Sequence, residues 1–303
     1  MFCPNCGNQM KDGTEFCSNC GWSKESNASK KGVLKIPKIP KVVLKLVFAV
    51  LGIVILAIII YNVPKPKGKV YEFSDIRKVK PVTKYWKNSV VDNFDTVIFG
   101  SYPQSDASGN AKEPIEWIVL DQQDNKTLLL SKYILDYKCY NNEEIDVWWN
   151  ISSLRNWLNN DFYNSAFSSD EQNKISWATV DLTDHTFSAT IQDKIFCLNV
   201  EEVRKYFGNG RRYTSGLNNE YRNYDIGKKV ATKATPYVQN MEYGNWKKKF
   251  AFLDEYGCFW LRSHPAYEDN KNAIYVDWTG RISLFGDDVD FMSGVRPALW
   301  VEN

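Results

Sequence analysis

Leu46-Val-Phe-Ala-Val-Leu-Gly-Ile-Val-Ile-Leu-Ala-Ile-Ile-Ile-Tyr61 is the stretch on which the reading of this chain turns. It holds no charge and no proline, and it forms the middle of an apolar run from Val42 to Val63. A helix rises about 1.5 Å per residue and a hydrocarbon core is about 30 Å thick, so roughly 20 such residues span it. Lys45 lies near the amino end, where its stem follows apolar surface while the ammonium reaches headgroups; Tyr61, Asn62 and Pro64 close the other end. A helix of this length in a soluble core would need a polar face, and Ile55 to Ile60 offers none. A cleaved signal would follow a short basic leader, whereas 41 residues precede this run. The sequence therefore predicts one retained transmembrane helix over residues 42–63.

Outward from the run, lysines divide unevenly. Lys30, Lys31, Lys35, Lys38, Lys41 and Lys45 precede it and Lys65, Lys67 and Lys69 follow, which favours a cytoplasmic amino terminus. The 303 residues are 44% hydrophobic and 24% charged, an ordinary globular composition too long for one small domain. A net charge of +2 conceals a basic amino-terminal part and an acidic remainder. Four of the seven cysteines fall within the first 20 residues, so the chain is not a disulfide scaffold. A single pair among Cys139, Cys197 and Cys258 stays open.

Cys3-Pro-Asn-Cys6-Gly7 and Cys17-Ser-Asn-Cys20-Gly21 are matched turns. In each, two thiolates face one point and the glycine frees the backbone to aim amides at sulfur. Four thiolates complete a tetrahedral Zn²⁺ site with no open position, so Cys3, Cys6, Cys17 and Cys20 predict structural zinc, without which so short a segment would not fold. Residues 1–22 resemble the minimal zinc ribbon found at the amino end of many bacterial membrane proteins. Thiolate ligation requires a reducing compartment and agrees with the lysine bias. Residues 23–41 are rich in Lys, Ser and Pro and read as a flexible arm whose lysines suit anionic membrane lipid. With no aromatic interleaved among them, nucleic acid is disfavoured.

Residues 64–94 read as a second linker, and residues 95–303 as an α+β domain placed outside the cell by the anchor. Ile115-Glu-Trp-Ile-Val-Leu120 and Thr127-Leu-Leu-Leu-Ser131 predict a core hairpin turning at Gln122 to Asn125. Leu154, Trp157, Leu158 and Phe162 share one helical face with Ser153 as cap. Ser168 with Glu171 and Asn199 with Glu202 have capping-box spacing. Strands return at Phe259 to Ser263, Ala273 to Trp278, Arg281 to Phe285 and Val295 to Val301. The series Gly100-Ser-Tyr-Pro-Gln104, Glu116-Trp-Ile-Val-Leu120, Ser153-Leu-Arg-Asn-Trp-Leu-Asn159, Trp260-Leu-Arg-Ser263 and Val295-Arg-Pro-Ala-Leu299 resembles DUF6273, an uncharacterised bacterial family. Its ending, Gly294-Val-Arg296-Pro, is similar to that of C-type-lectin-like and formylglycine-generating-enzyme folds. That resemblance implies a C-type-lectin-like architecture and brings no catalytic roles.

Cys197 and Cys258 stand in apolar settings that suit inert thiols. His185 and His264 are the two histidines, and neither a GxSxG elbow nor an HExxH helix accompanies them. Candidate ligand-binding residues are Trp148 and Trp149, adjacent in a polar stretch where one ring should face out, Arg262 on an apolar element, and Asp287, Asp288 and Asp290, whose oxygens suit Ca²⁺ in a lectin-like loop. Core packing, structural ion pairing and a solvated turn are the respective plainer readings. The expected protein is a single-pass membrane binder rather than an enzyme. Its outer domain would meet a cell-envelope glycan or peptide and its ribbon a cytoplasmic protein; an envelope-acting enzyme and a signalling or assembly adaptor are the alternatives.

Overall fold

The hairpin is where hydrophobic patterning translates most directly into structure. Lys112–Gln122 and Lys126–Ser131 pair antiparallel, with Ile118 opposite Leu130 and Val119 opposite Leu129. Ile115, Trp117, Ile118, Val119 and Leu128 to Leu130 are buried, as expected of runs too apolar to face water. The Trp117 indole N–H donates to the Phe99 carbonyl at 2.6 Å, so the largest ring enters the core with its polar atom satisfied.

The computed structural model describes residues 1–23, 50, 68–82, 91–106, 108–182, 189–215, 221–241, 256–265 and 271–303. The chain divides into two units, Met1–Pro64 and Lys65–Asn303. The arm over residues 24–41, Tyr85, Trp86 and His185 lie outside the described residues. The expectation of a transmembrane helix over residues 42–63 is corrected. Of that run only Val50 is described, and among the described residues no helix is long and apolar enough to cross a membrane. Apolar composition supplies the hydrophobicity of a span but does not by itself place a helix. Single-pass anchoring and the compartments derived from it are withdrawn.

The larger unit is a sheet-rich α+β fold. One sheet has the order Val70–Tyr71, Thr96–Pro103, Lys112–Gln122, Lys126–Ser131, Ala298–Glu302, Ile175–Ser176. The second runs Asp136–Cys139, Met292–Val295, Phe259–Trp260, Asn272–Val276, Arg281–Asp288, Tyr221–Asp225, Arg211–Ser215. A continuous apolar core serves both. Val70–Tyr71 lies parallel to Thr96–Pro103, and Ile76, Val79 and Val82 are buried, so the stretch read as linker already belongs to the core.

The closing segment is one expected strand divided in two. Met292–Val295 joins the second sheet, Ala298–Glu302 the first, and Arg296-Pro297 makes the break. Pro297 has no N–H for a ladder. Arg296 is buried, donating from Nε to the Ser131 carbonyl at 2.9 Å and from Nη1 to the Val230 carbonyl at 2.8 Å. Burial alone lowers its pKa to about 9.

Leu154, Leu158 and Phe162 are buried on the expected helical face. Ser152, not Ser153, caps this helix, its hydroxyl accepting from the Arg155 N–H, because helical dihedrals begin at Ser153, one residue earlier than spacing suggests. Leu158–Phe162 forms a π-helical turn inside this helical stretch. There the Asn159 side chain accepts from Lys194 N and Ile195 N and donates to the Ile195 carbonyl, pinning the helix to the segment after Asp193. Both expected capping boxes are present, Ser168 with Glu171 and Asn199 with Glu202.

Candidate metal centre and recognition loop

Each knuckle is built by the same local bonds. Gly7 N–H donates to the Cys3 carbonyl and Gly21 N–H to the Cys17 carbonyl, both at 2.9 Å. Gly7 and Gly21 adopt φ of +70° and +74°, a region where side chains other than glycine are strained. Cys3 Sγ lies 3.7 Å from Cys20 Sγ and Cys6 Sγ 3.7 Å from Cys17 Sγ, and all four sulfurs lie within 4.8 Å of one another. Four sulfurs at about 2.3 Å from a tetrahedral zinc stand about 3.8 Å apart, so the donor set fits structural Zn²⁺. The knuckles also brace each other: Asn5 Nδ2 donates to Cys20 Sγ at 3.5 Å and Asn19 Nδ2 to Cys6 Sγ at 3.9 Å. The Asn5 amide and the Trp22 backbone N–H favour the Cys20 thiolate and bring its pKa to about 6.

In the larger unit the adjacent tryptophans part. Trp149 is 1% exposed and its indole N–H donates to Asp193 Oδ2 at 2.8 Å. Trp148 is half-buried, its ring stacked on His264 at 4.0 Å and 13°. Arg262 is buried and forks onto Glu202 at 2.6 and 2.7 Å, with a further bond to the Cys197 carbonyl, so its charge is spent on the helix Val200–Phe207. Among the described residues, the four cysteines are the one set of three or more His, Cys, Asp or Glu side chains whose ligand atoms converge. The carboxylates of Asp287, Asp288 and Asp290 do not converge as such a set, and Asp277 accepts from Thr279 and Arg281 in its own turn.

One loop nevertheless gathers these segments. Its base is tied where Asn141 N–H donates to the Val289 carbonyl at 2.8 Å and Asn141 Oδ1 accepts from the Ser153 hydroxyl at 2.8 Å. Cys139 Sγ donates to the Asp290 carbonyl at 2.9 Å, and Lys271 pairs with Glu144 at 3.4 Å. The far end is held by buried Trp149. Between these anchors Ile145 is 47% exposed and Ile151 66% exposed, on either side of Trp148. Sequence reasoning missed both isoleucines. Their signal was present, since each is an aliphatic residue among polar ones, Glu144-Ile145-Asp146 and Asn150-Ile151-Ser152.

Two buried carboxylates were also missed. Asp193 is 0% exposed between Trp149 and Arg155, whose Nε donates at 2.7 Å. Asp136 accepts from the Tyr102 hydroxyl at 2.5 Å and from Tyr137 N–H at 2.7 Å, with Lys138 Nζ at 3.7 Å. Burial raises the pKa of both. Cys197, fully buried, is pushed up to about 12 by burial and is an inert thiol in that setting.

A four-cysteine knuckle followed by a sheet-rich α+β unit with a pinned, apolar-tipped loop defines the class of protein. A model described as a domain of unknown function, DUF6273, matches residues 124–303, more than half of the chain, and the chain belongs to that family. A zinc-ribbon model matches residues 2–21. No curated protein and no solved structure matches the chain. The C-type-lectin-like architecture implied by the closing motif consequently has no support, because a four-residue ending does not determine the strand order that precedes it.

Proposed function

We propose that the chain acts by binding, with the zinc ribbon as a metal-folded knob and the DUF6273 domain presenting a recognition surface on the loop between Asn141 and Ser152. The observation that carries this reading is the pairing of a fixed loop base with exposed aliphatic tips. A loop already held at Asn141, Trp149 and Ser153 loses little conformational freedom on meeting a partner. Ile145 and Ile151, exposed on such a support, are the side chains the proposal assigns to the contact. The buried polar groups favour the same reading: Arg262 with Glu202, Arg155 with Asp193 and Tyr102 with Asp136 satisfy one another within the fold.

The test is a screen of the immobilised full chain against an oligosaccharide array and a displayed random-peptide library. Ligands retained by the wild type and lost by Ile151→Ser, with an unchanged unfolding midpoint, support the reading. A wild type that retains nothing, or an Ile151→Ser variant that retains everything, overturns it.

A further inference from the structure

The chemistry around the loop narrows its partner, an inference that rests on the binding reading above. Glu143, Glu144 and Asp146 are exposed on the loop itself. The neighbouring segment adds exposed Asp287 and half-buried Asp288 and Asp290, joined to the loop through the Asn141–Val289 and Cys139–Asp290 bonds. Lys271 pairs with Glu144 at 3.4 Å. The loop thus carries Ile145, Trp148 and Ile151 beside carboxylates of its own and of the segment bonded to its base.

A sugar ring would use Trp148 as its platform, yet one face of that indole is already stacked on His264. Exposed isoleucines give a hydroxyl-rich ligand little to bond. They suit aliphatic side chains, and carboxylates at the rim select opposite charge and repel like charge. We propose that this surface takes a cationic amphipathic peptide segment, with leucine-like side chains against Ile145 and Ile151 and lysine or arginine over the acids.

Fluorescence anisotropy on the full chain tests this with labelled peptides of about 14 residues composed of leucine and lysine, serine and lysine, or leucine and glutamate. The leucine–lysine peptide binds most tightly, weakens with added salt, and loses about tenfold in affinity to a Glu143→Gln/Glu144→Gln/Asp146→Asn variant. Ile145→Ser with Ile151→Ser weakens it comparably. If the leucine–glutamate peptide binds as well and the isoleucine variant loses both, the cationic class is overturned while the surface reading survives. No leucine–lysine binding, binding that the charge variant leaves unchanged, or retention of oligosaccharides alone by this loop overturns the inference.

Discussion

At the residue scale, what the chemistry of a side chain predicts depends on how local its partners are. The four cysteines were legible because both ligand pairs are set by short turns in which spacing is nearly geometry. Arg262 was not, since its partner Glu202 is distant in sequence and no pattern links them. Arg262→Lys keeps the charge but loses the fork and the bond to the Cys197 carbonyl, so urea unfolding should show a loss of roughly 2–4 kcal/mol. Asp136 gives a pH-dependent prediction. Its pKa is raised by burial above the unfolded value of about 3.9, so the folded state holds the proton more tightly. The stability this contributes is present below about pH 4 and is lost as pH rises through the folded value. Asp136→Asn removes that dependence: its destabilisation relative to wild type, measured by urea titrations, should be largest near pH 4 and shrink toward about pH 7.

At the scale of elements, periodicity and capping chemistry were the dependable guides. The hairpin, the face of Leu154, Leu158 and Phe162, and both capping boxes follow from sequence because each is decided by residues within a few positions of one another. The parallel placement of Phe259 beside Gly294 and the division of the closing strand were not legible, since they are settled between distant segments. Val70 to Val82 hid its core role behind the preceding Pro-Lys-Pro-Lys. The turn Asp277 to Arg281 supplies a sharper test. Gly280 has φ +86°, and a Cβ there would lie 2.0 Å from the Gly227 carbonyl oxygen, where backbone cannot easily yield. Gly280→Ala should therefore cost at least about 1–3 kcal/mol in thermal unfolding, whereas Gly208→Ala, with φ +96° and nothing within 4 Å, should carry backbone strain alone.

At the scale of the whole molecule, the two units differ in what makes them fold. The ribbon buries Cys3, Met10 and Cys17 with Trp22 against them, too little apolar surface to hold a chain together without metal. The DUF6273 unit has a large core of its own. A strong chelator should collapse the amide dispersion of residues 1–23 in a heteronuclear NMR spectrum while leaving the calorimetric transition of the larger unit unmoved. Zinc uptake should also release protons and weaken on acidification, because thiolates must form before they bind.

The break at Arg296-Pro297 has a consequence for biosynthesis. Ala298–Glu302 sits inside one sheet, between Lys126–Ser131 and Ile175–Ser176, and Met292–Val295 sits inside the other, between Asp136–Cys139 and Phe259–Trp260. A nascent domain thus lacks an inner row of both sheets until Met292 to Glu302 have been made, so neither layer can close before that segment is in place.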